Sequence, residues 1–205
     1  MKGVRRMICC LLLLPALLAA QGRERNIPIR LNVSVQTMDD GDSLIVYDPA
    51  RPLVLRDFKG RVDTGSDGVA ATFSGMRMAF YGEEKKGVLH VDVQVLVYFD
   101  KTKSWTKKEG QTPVVLAHEQ VHFDITAWYA CLFIHAVKRY PFTPSRVKEE
   151  LRALNQKIMA QMQQAQYDYD RETHHGTLRK QQAAWAAKVR MQLDAQDCYR
   201  GLAAQ

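Results

Sequence analysis

The chain has 205 residues, of which 46% are hydrophobic and 25% are charged, and its formal net charge is +7. This balance is typical of globular proteins and excludes a collagen-like repeat, a disordered tail and a polytopic membrane protein. Near its start, three basic residues precede an apolar run that ends close to Ala19 and Ala20. The order predicts a secretory signal peptide over residues 1–20, because the apolar run is short for a membrane span.

Cleavage near Ala20 would remove three positive charges and leave residues 21–205 with a net charge of +4. We expect one domain, monomeric and without a membrane span, in the periplasm or secreted. So mild a charge gives little reason to expect a nucleic-acid partner. Two cysteines remain, Cys131 and Cys198, and in an oxidising compartment they most simply form one disulfide. Two free, buried thiols are the alternative.

The first half of the mature chain has the period-two alternation of strands. Apolar residues alternate with polar ones over residues 27–36, and further strand patterns follow over 69–81 and 88–99. A polar loop, residues 82–87, separates the last two. A loop this short cannot carry a parallel crossover, so it predicts an antiparallel hairpin.

The second half has the pattern of helices. Thr112 followed by Pro113 is a helix start, and the helix should run to near Arg139. Thr143-Pro144 repeats the signal, and Gly176 interrupts the apolar stripe that follows. A third helix comes after it. The fold class is therefore predicted as α+β, an N-terminal antiparallel sheet followed by three helices.

The first predicted helix carries His118, Glu119 and His122 in the H-E-x-x-H pattern. Residues four apart lie on one helix face, so both imidazoles can reach one zinc ion at about 2.0–2.1 Å. The carboxylate between them can accept a proton from water whose pKa the zinc lowers. The pattern predicts a zinc site with Glu119 as general base.

A catalytic zinc ion usually has three protein ligands and one open position. The best candidates for the third are His174 and His175, because a histidine beside the helix-breaking Gly176 can project from a chain bend. Glu149 and Glu150 are not excluded. The pattern does not choose between the two histidines, and zinc itself is assumed from the ligand type.

Three other side chains have two interpretations each. Asp124 points away from the metal and is a buried hydrogen-bond or ion-pair partner, or supports a ligand from behind. Tyr169 packs in the core or donates its hydroxyl to the oxyanion of an attacked carbonyl. Asp170 orients a histidine or caps the chain bend.

The run LAHEQVHFDI over residues 116–125, with YDRETHHG over 169–176, resembles a bacterial family of unknown function described as predicted secreted zinc-dependent proteases. The resemblance extends over about residues 27–190 and implies a zincin-like fold. It also implies that His175 is the third zinc ligand and His174 its neighbour. Val121 departs from the family, which often has glycine there.

These features predict an exported, zinc-dependent metallopeptidase that hydrolyses peptide bonds. In zincins an edge strand beside the metal helix pairs with the extended peptide or protein substrate, and residues 88–99 are the expected strand. The alternative is a non-catalytic periplasmic protein that binds zinc or a partner through the same histidines. An open cleft at the metal favours the enzyme, and a closed fourth position favours the binder.

Overall fold

The structure, a computed structural model, describes residues 27–36 and 42–199, so the predicted signal peptide lies outside the described residues. Its strands are β1 (Ile29–Val35), β2 (Leu44–Val46), β3 (Ala70–Ala71), β4 (Ser74–Lys85), β5 (Val88–Asp100) and β6 (Trp105–Thr106). Its α-helices are α1 (Pro113–Arg139), α2 (Val147–Thr173) and α3 (Arg179–Gln196). Strands followed by three helices confirm the α+β prediction.

β5 lies at the centre of the larger sheet. Its whole length pairs with β4 in an antiparallel register, so β1 and β2 share the opposite edge, β1 beside Leu89–Val95 and β2 beside Tyr98–Asp100. The pairing of β1 with β5 is parallel, so the sheet is mixed rather than wholly antiparallel as predicted. The expectation that residues 88–99 form an edge strand is wrong, because both edges of β5 are already hydrogen-bonded.

The predicted hairpin is confirmed, but its turn is shorter than the sequence suggested. The strands continue through the polar segment, and only Lys86 and Gly87 turn the chain, with φ of 51° and 75°. Two consecutive positive φ values are typical of a two-residue type I′ hairpin turn, whose twist matches the right-handed twist of the flanking strands. The run over 69–81 is instead divided into β3 and β4, because Phe73 N–H turns aside to donate to Ser104 Oγ. β3 pairs with β6 in a separate two-stranded sheet.

Helix α1 lies between the sheet and the other two helices. One side packs on β5, whose residues Val91, Val93, Val95, Val97 and Phe99 form the buried face that the alternation predicted. The other side, with Val121 and Ile125, packs against Tyr169 of α2 and Trp185 of α3. A helix buried on two sides holds its side chains in fixed positions.

The ends of α1 are set by local chemistry. Thr112 Oγ1 accepts a hydrogen bond from Val115 N–H at 3.2 Å, and Pro113 occupies the first helical position. Lys138 and Arg139 lie in the last turn, where positive charge is favourable. The predicted bounds of α1 are therefore confirmed. None of the helices in the described part of the chain has an apolar stretch that could cross a bilayer.

Candidate metal centre

Two histidines of α1 lie side by side, as their spacing predicted. The Nε2 atoms of His118 and His122 are 3.2 Å apart, and the rings meet edge to face with centroids separated by 4.8 Å. His118 is only 5% exposed. The two Nε2 atoms thus converge on one point in the wall of a cleft rather than pointing into solvent.

Asp170, in the last turn of α2, completes a triangle with the histidines. Its Oδ1 lies 3.1 Å from His118 Nε2 and 3.0 Å from His122 Nε2. Ligands at about 2.0–2.1 Å from a tetrahedral zinc ion are about 3.3 Å from one another, so the three atoms have nearly the spacing of one face of such a site. Among the described residues, these three form the group of side chains that could hold a metal ion.

The charges at the triangle also fit a cation. Burial alone would raise the pKa of Asp170, but hydrogen bonds to His118 and His122 outweigh it and hold that pKa well below its usual range. Burial alone would likewise lower the pKa of His122, but the hydrogen bond to Asp170 and the charge of Glu119 raise it. The negative charge of Asp170 and Glu119 that favours a proton on His122 would equally favour a metal cation, and one carboxylate with two imidazoles is a donor set that suits zinc.

Glu119 lies next to the triangle but is not one of its three members. It is 5% exposed and lines a cleft of about 850 Å³ together with His118, His122 and Asp170. Another wall of the cleft is the segment 66–72, which includes β3. Thr72 fixes this wall to α1, because its hydroxyl donates to Glu119 O at 3.3 Å. A carboxylate, three possible ligands and an open cavity are therefore in one place.

Gln166 supports His122 from behind, and the sequence analysis did not find it. His122 Nδ1 lies 2.7 Å from Gln166 Oε1, while Gln166 Nε2 donates to His122 O at 2.9 Å and to Thr126 Oγ1 at 3.2 Å. The available signal was its position four residues before Asp170, on the same face of α2.

The ring of His118 is held by packing rather than by a hydrogen bond at Nδ1. Its ring stacks on Tyr169 with centroids 4.6 Å apart and an angle of 21° between the planes. Tyr169 is fully buried, its hydroxyl donates to His118 O at 3.4 Å, and it is not among the residues lining the cleft. This geometry favours the packing interpretation of Tyr169 over that of an oxyanion donor. His118 Nδ1 is buried without a partner in the described part of the chain.

The chain bend after α2 brings one of the two predicted histidines to the cleft. His174, His175 and Gly176 all have positive φ, of 46°, 53° and 80°. Thr173 supports the bend, because its Oγ1 accepts from Gly176 N–H at 3.1 Å. His175 lines the cleft with Nδ1 3.5 Å from Asp170 Oδ1, and its side chain is 79% exposed. His174 is exposed and does not line the cleft.

The remaining candidates lie away from the triangle. Asp124 accepts hydrogen bonds from Gln120 Nε2 at 2.8 Å and from Tyr47 Oη at 3.1 Å, so it is a partly buried hydrogen-bond partner on the far side of α1. Glu150 accepts from Thr143 N–H at the opposite end of α2. Twenty residues separate it from Asp170, about 30 Å of helix, so it cannot complete this triangle.

Cys131 and Cys198 are neighbours at the far end of α1. They carry free thiols in the structure, joined by a hydrogen bond that raises the pKa of Cys131 and lowers that of Cys198. Cys198 Sγ also lies 3.6 Å from His135 Nε2. The structure brings the two predicted partners together, and the disulfide stays a prediction.

Part of the chain matches a known protein family. Residues 99–176 match the model of a family described as a bacterial protein of unknown function (DUF922). None of the curated proteins or solved structures compared with the chain matches it. The matched segment, less than half of the chain, runs from the end of β5 through α1 and α2 to Gly176 and so contains the whole triangle. Over these residues the chain is similar to a bacterial family of unknown function, a description that carries no statement about zinc or proteolysis.

Proposed function

We propose that the protein is an exported, zinc-dependent hydrolase that cleaves peptide bonds. The observation that carries the proposal is the triangle of His118 Nε2, His122 Nε2 and Asp170 Oδ1, with separations of 3.0–3.2 Å, on the wall of an open cleft beside Glu119. Export rests on the signal peptide predicted from residues 1–20, and peptide bonds as the substrate rest on the sequence resemblance.

His118 and His122 would hold the metal through Nε2, and a bound zinc ion would supply Lewis acidity toward the attacked carbonyl and toward water. For the third ligand, the geometry favours Asp170, whose Oδ1 already lies beside both nitrogens. The sequence resemblance instead implies His175, whose Nδ1 is 3.5 Å from that oxygen. Either choice leaves two histidines of α1 and one group from the end of α2.

Glu119 would act as the general base. It follows His118 directly, lines the cleft, and is close enough for its charge to raise the pKa of His122. Its carboxylate would accept a proton from the attacking water and then donate it to the departing amine, so the proton removed in the first step is returned in the second. Among the residues that the structure describes, no side chain forms a hydrogen bond with this carboxylate, which leaves it available for both transfers.

The cleft also contains a strand suited to an extended peptide. β5 cannot pair with substrate, since both of its edges are occupied, but β3 pairs on only one side, with β6. Residues 66–72, including β3, line the same cleft as the triangle. An extended peptide that hydrogen-bonds along Ala70–Ala71 would place one of its carbonyls near Glu119.

A non-catalytic zinc-binding role is the second candidate, and His175 is the reason to keep it. If Asp170 and His175 both bound the metal with the two histidines of α1, four protein ligands would close the coordination, as in structural zinc sites. The open cleft of about 850 Å³ at the triangle favours the enzyme instead.

The test is zinc content and peptide hydrolysis of the mature protein, beginning after Ala20. We expect one zinc per chain, and cleavage of a mixed fluorogenic peptide library. Glu119→Gln should keep the zinc and lower hydrolysis by about 10²–10⁴-fold, because the ligands remain and only the base is lost. Undiminished hydrolysis by this variant would refute the mechanism, and zinc without any hydrolysis by the wild type would favour the binding role.

The third ligand can be identified with three alanine variants. Asp170→Ala and His175→Ala each remove one candidate, and His174→Ala is the matched control because it removes an exposed histidine from the same bend. The geometry predicts that Asp170→Ala weakens zinc binding most. A larger loss in His175→Ala would assign the ligand as the sequence resemblance implies.

A further inference from the structure

We propose that two glutamines, Gln166 and Gln182, position the metal-binding histidines by fixing which ring nitrogen carries the proton. This inference rests on the proposed metal site and deepens it. An imidazole binds a metal through a nitrogen lone pair, so a histidine that binds through Nε2 must carry its proton on Nδ1. An acceptor at Nδ1 selects this tautomer before the metal arrives.

The assignment for His122 follows from the contacts of Gln166. The amide nitrogen of Gln166 faces His122 O, a main-chain carbonyl that can only accept, so the amide orientation is determined. Its Oε1 must then face His122 Nδ1, at 2.7 Å. Because an amide oxygen only accepts, Nδ1 is the donor, and Nε2 of the neutral ring presents its lone pair to the triangle.

The assignment for His118 uses the same arrangement from α3. Gln182 Nε2 donates to Val114 O at 3.2 Å, which again fixes the amide and turns Oε1 inward. Gln182 Oε1 and His118 Nδ1 are both buried without a hydrogen-bond partner in the described chain. They face the same glycine, since a Cβ on Gly176 would lie 2.7 Å from the oxygen and 3.0 Å from the nitrogen. A small movement that brings these two atoms into hydrogen-bonding contact would satisfy both, with the proton on His118 Nδ1 and Gln182 Oε1 as the acceptor.

The two glutamines therefore decide between two states of the triangle. With protons on Nδ1, both Nε2 lone pairs are free for a metal. With protons on Nε2, the same nitrogens donate to Asp170 Oδ1, at 3.0 and 3.1 Å, and the triangle is closed by hydrogen bonds. Gln166 comes from α2 and Gln182 from α3, so each histidine of α1 has a support on a different neighbouring helix.

The first experiment compares zinc affinities by chelator competition. Gln166→Met and Gln182→Met keep the side-chain length and remove the acceptor, and each should weaken zinc binding by about 10–100-fold. Gln163→Met and Gln181→Met are matched controls, because they remove exposed glutamines from the same two helices and should bind zinc like the wild type.

The second experiment reads the tautomers directly. Long-range ¹H–¹⁵N NMR spectra of the chelator-treated protein, at a pH where the imidazoles are neutral, should show protons on Nδ1 of His118 and His122. In Gln166→Met the His122 proton should move to Nε2 while the His118 proton stays on Nδ1. In Gln182→Met the His118 proton should move to Nε2 while the His122 proton stays on Nδ1. A merely structural role for the glutamines would not predict this exchange.

The two proposals fail in different ways. Wild-type tautomers in both methionine variants, together with unchanged zinc affinity, would overturn the positioning role while leaving the zinc site intact. A wild-type protein that binds no zinc would refute the proposed function, and the tautomer spectra would still decide whether the glutamines control the two rings. Proton positions on Nε2 in the wild type would overturn the inference outright.

Discussion

The two halves of α1 are buried in different ways. Besides apolar residues such as Val121 and Ile125, the first half buries two polar groups, His118 and Glu119, each 5% exposed, beside hydrogen-bonding or charged side chains of α2. The second half buries apolar groups, such as Phe133 and Val137, which are fully buried in the core that α1 forms with the sheet. One helix thus combines a region whose positions are set by directional contacts with a region that supplies apolar burial.

The two halves of α1 therefore differ in the kind of contact on which their stability depends. Polar groups are costly to bury unless hydrogen-bonded, so the first half depends on a few exact partners. It also lies against a bend with three consecutive positive φ values, from His174 to Gly176. Apolar burial has no such directional requirement. We therefore expect changes in the second half to affect stability alone, and changes at the bend to affect both stability and metal binding.

The largest expected effect on stability comes from the second half of α1. Phe133→Ala removes a fully buried ring from the main core and should lower the free energy of unfolding by about 3–5 kcal/mol. Urea unfolding measures the loss, and zinc content of the folded fraction should remain one per chain. A variant that unfolds like the wild type, or that folds but loses its zinc, would contradict the separation of the two halves.

A smaller effect is expected at the bend, from Gly176→Ala. Its φ of 80° costs a side chain about 1–2 kcal/mol, and the added Cβ would meet Gln182 Oε1 and His118 Nδ1 at 3.0 Å or less. We expect Gly176→Ala to lower the free energy of unfolding by about 2 kcal/mol or more. It should also weaken zinc binding, because the new Cβ would displace His118 or Gln182.

Gly87 is the matched control for that variant. It has a similar φ of 75°, but nothing lies within 4 Å of the position a Cβ would take. Gly87→Ala should therefore lower the free energy of unfolding by about 1–2 kcal/mol, the cost of a side chain at positive φ, and leave zinc binding unchanged. Equal effects of the two alanine variants on zinc affinity would show that the close approach of Gly176 to His118 has no role in the site.

The start of α1 and the pairing of its two histidines could be predicted from the sequence, because both depend on residues close together in the chain. Thr112 and Pro113 fix the helix start, and the four-residue spacing places His118 and His122 together wherever the helix packs. The parallel pairing of β1 with β5 was not predictable in this way, since the partners are far apart in the chain and alternation does not reveal strand direction. Gln166 was missed for a related reason, because its role depends on how α2 packs against α1.

The smallest expected effect tests the boundary between the two halves, at Asp124. Burial raises the pKa of this carboxyl, and the hydrogen bonds from Gln120 and Tyr47 oppose the shift without cancelling it. Because the pKa is higher in the folded than in the unfolded state, the contribution of this group to stability is full at low pH and is lost as the pH rises through the folded pKa. Asp124→Asn keeps an acceptor for both donors, whose bonds go to the same oxygen, Oδ1.

The free energy of unfolding of Asp124→Asn should therefore increase relative to that of the wild type as the pH rises, by about 1 kcal/mol or less. Its zinc content should be unchanged. Urea unfolding at a series of pH values from 4 to 8 measures the difference in free energy of unfolding between the two proteins. Asp63→Asn, an exposed carboxylate, controls for the loss of one charge and should not reproduce the trend. A variant less stable than the wild type at high pH would mean that the ionised carboxylate stabilises this part of α1. The boundary would then resemble the first half of α1, where charged and polar groups are held by directional partners, rather than the second half.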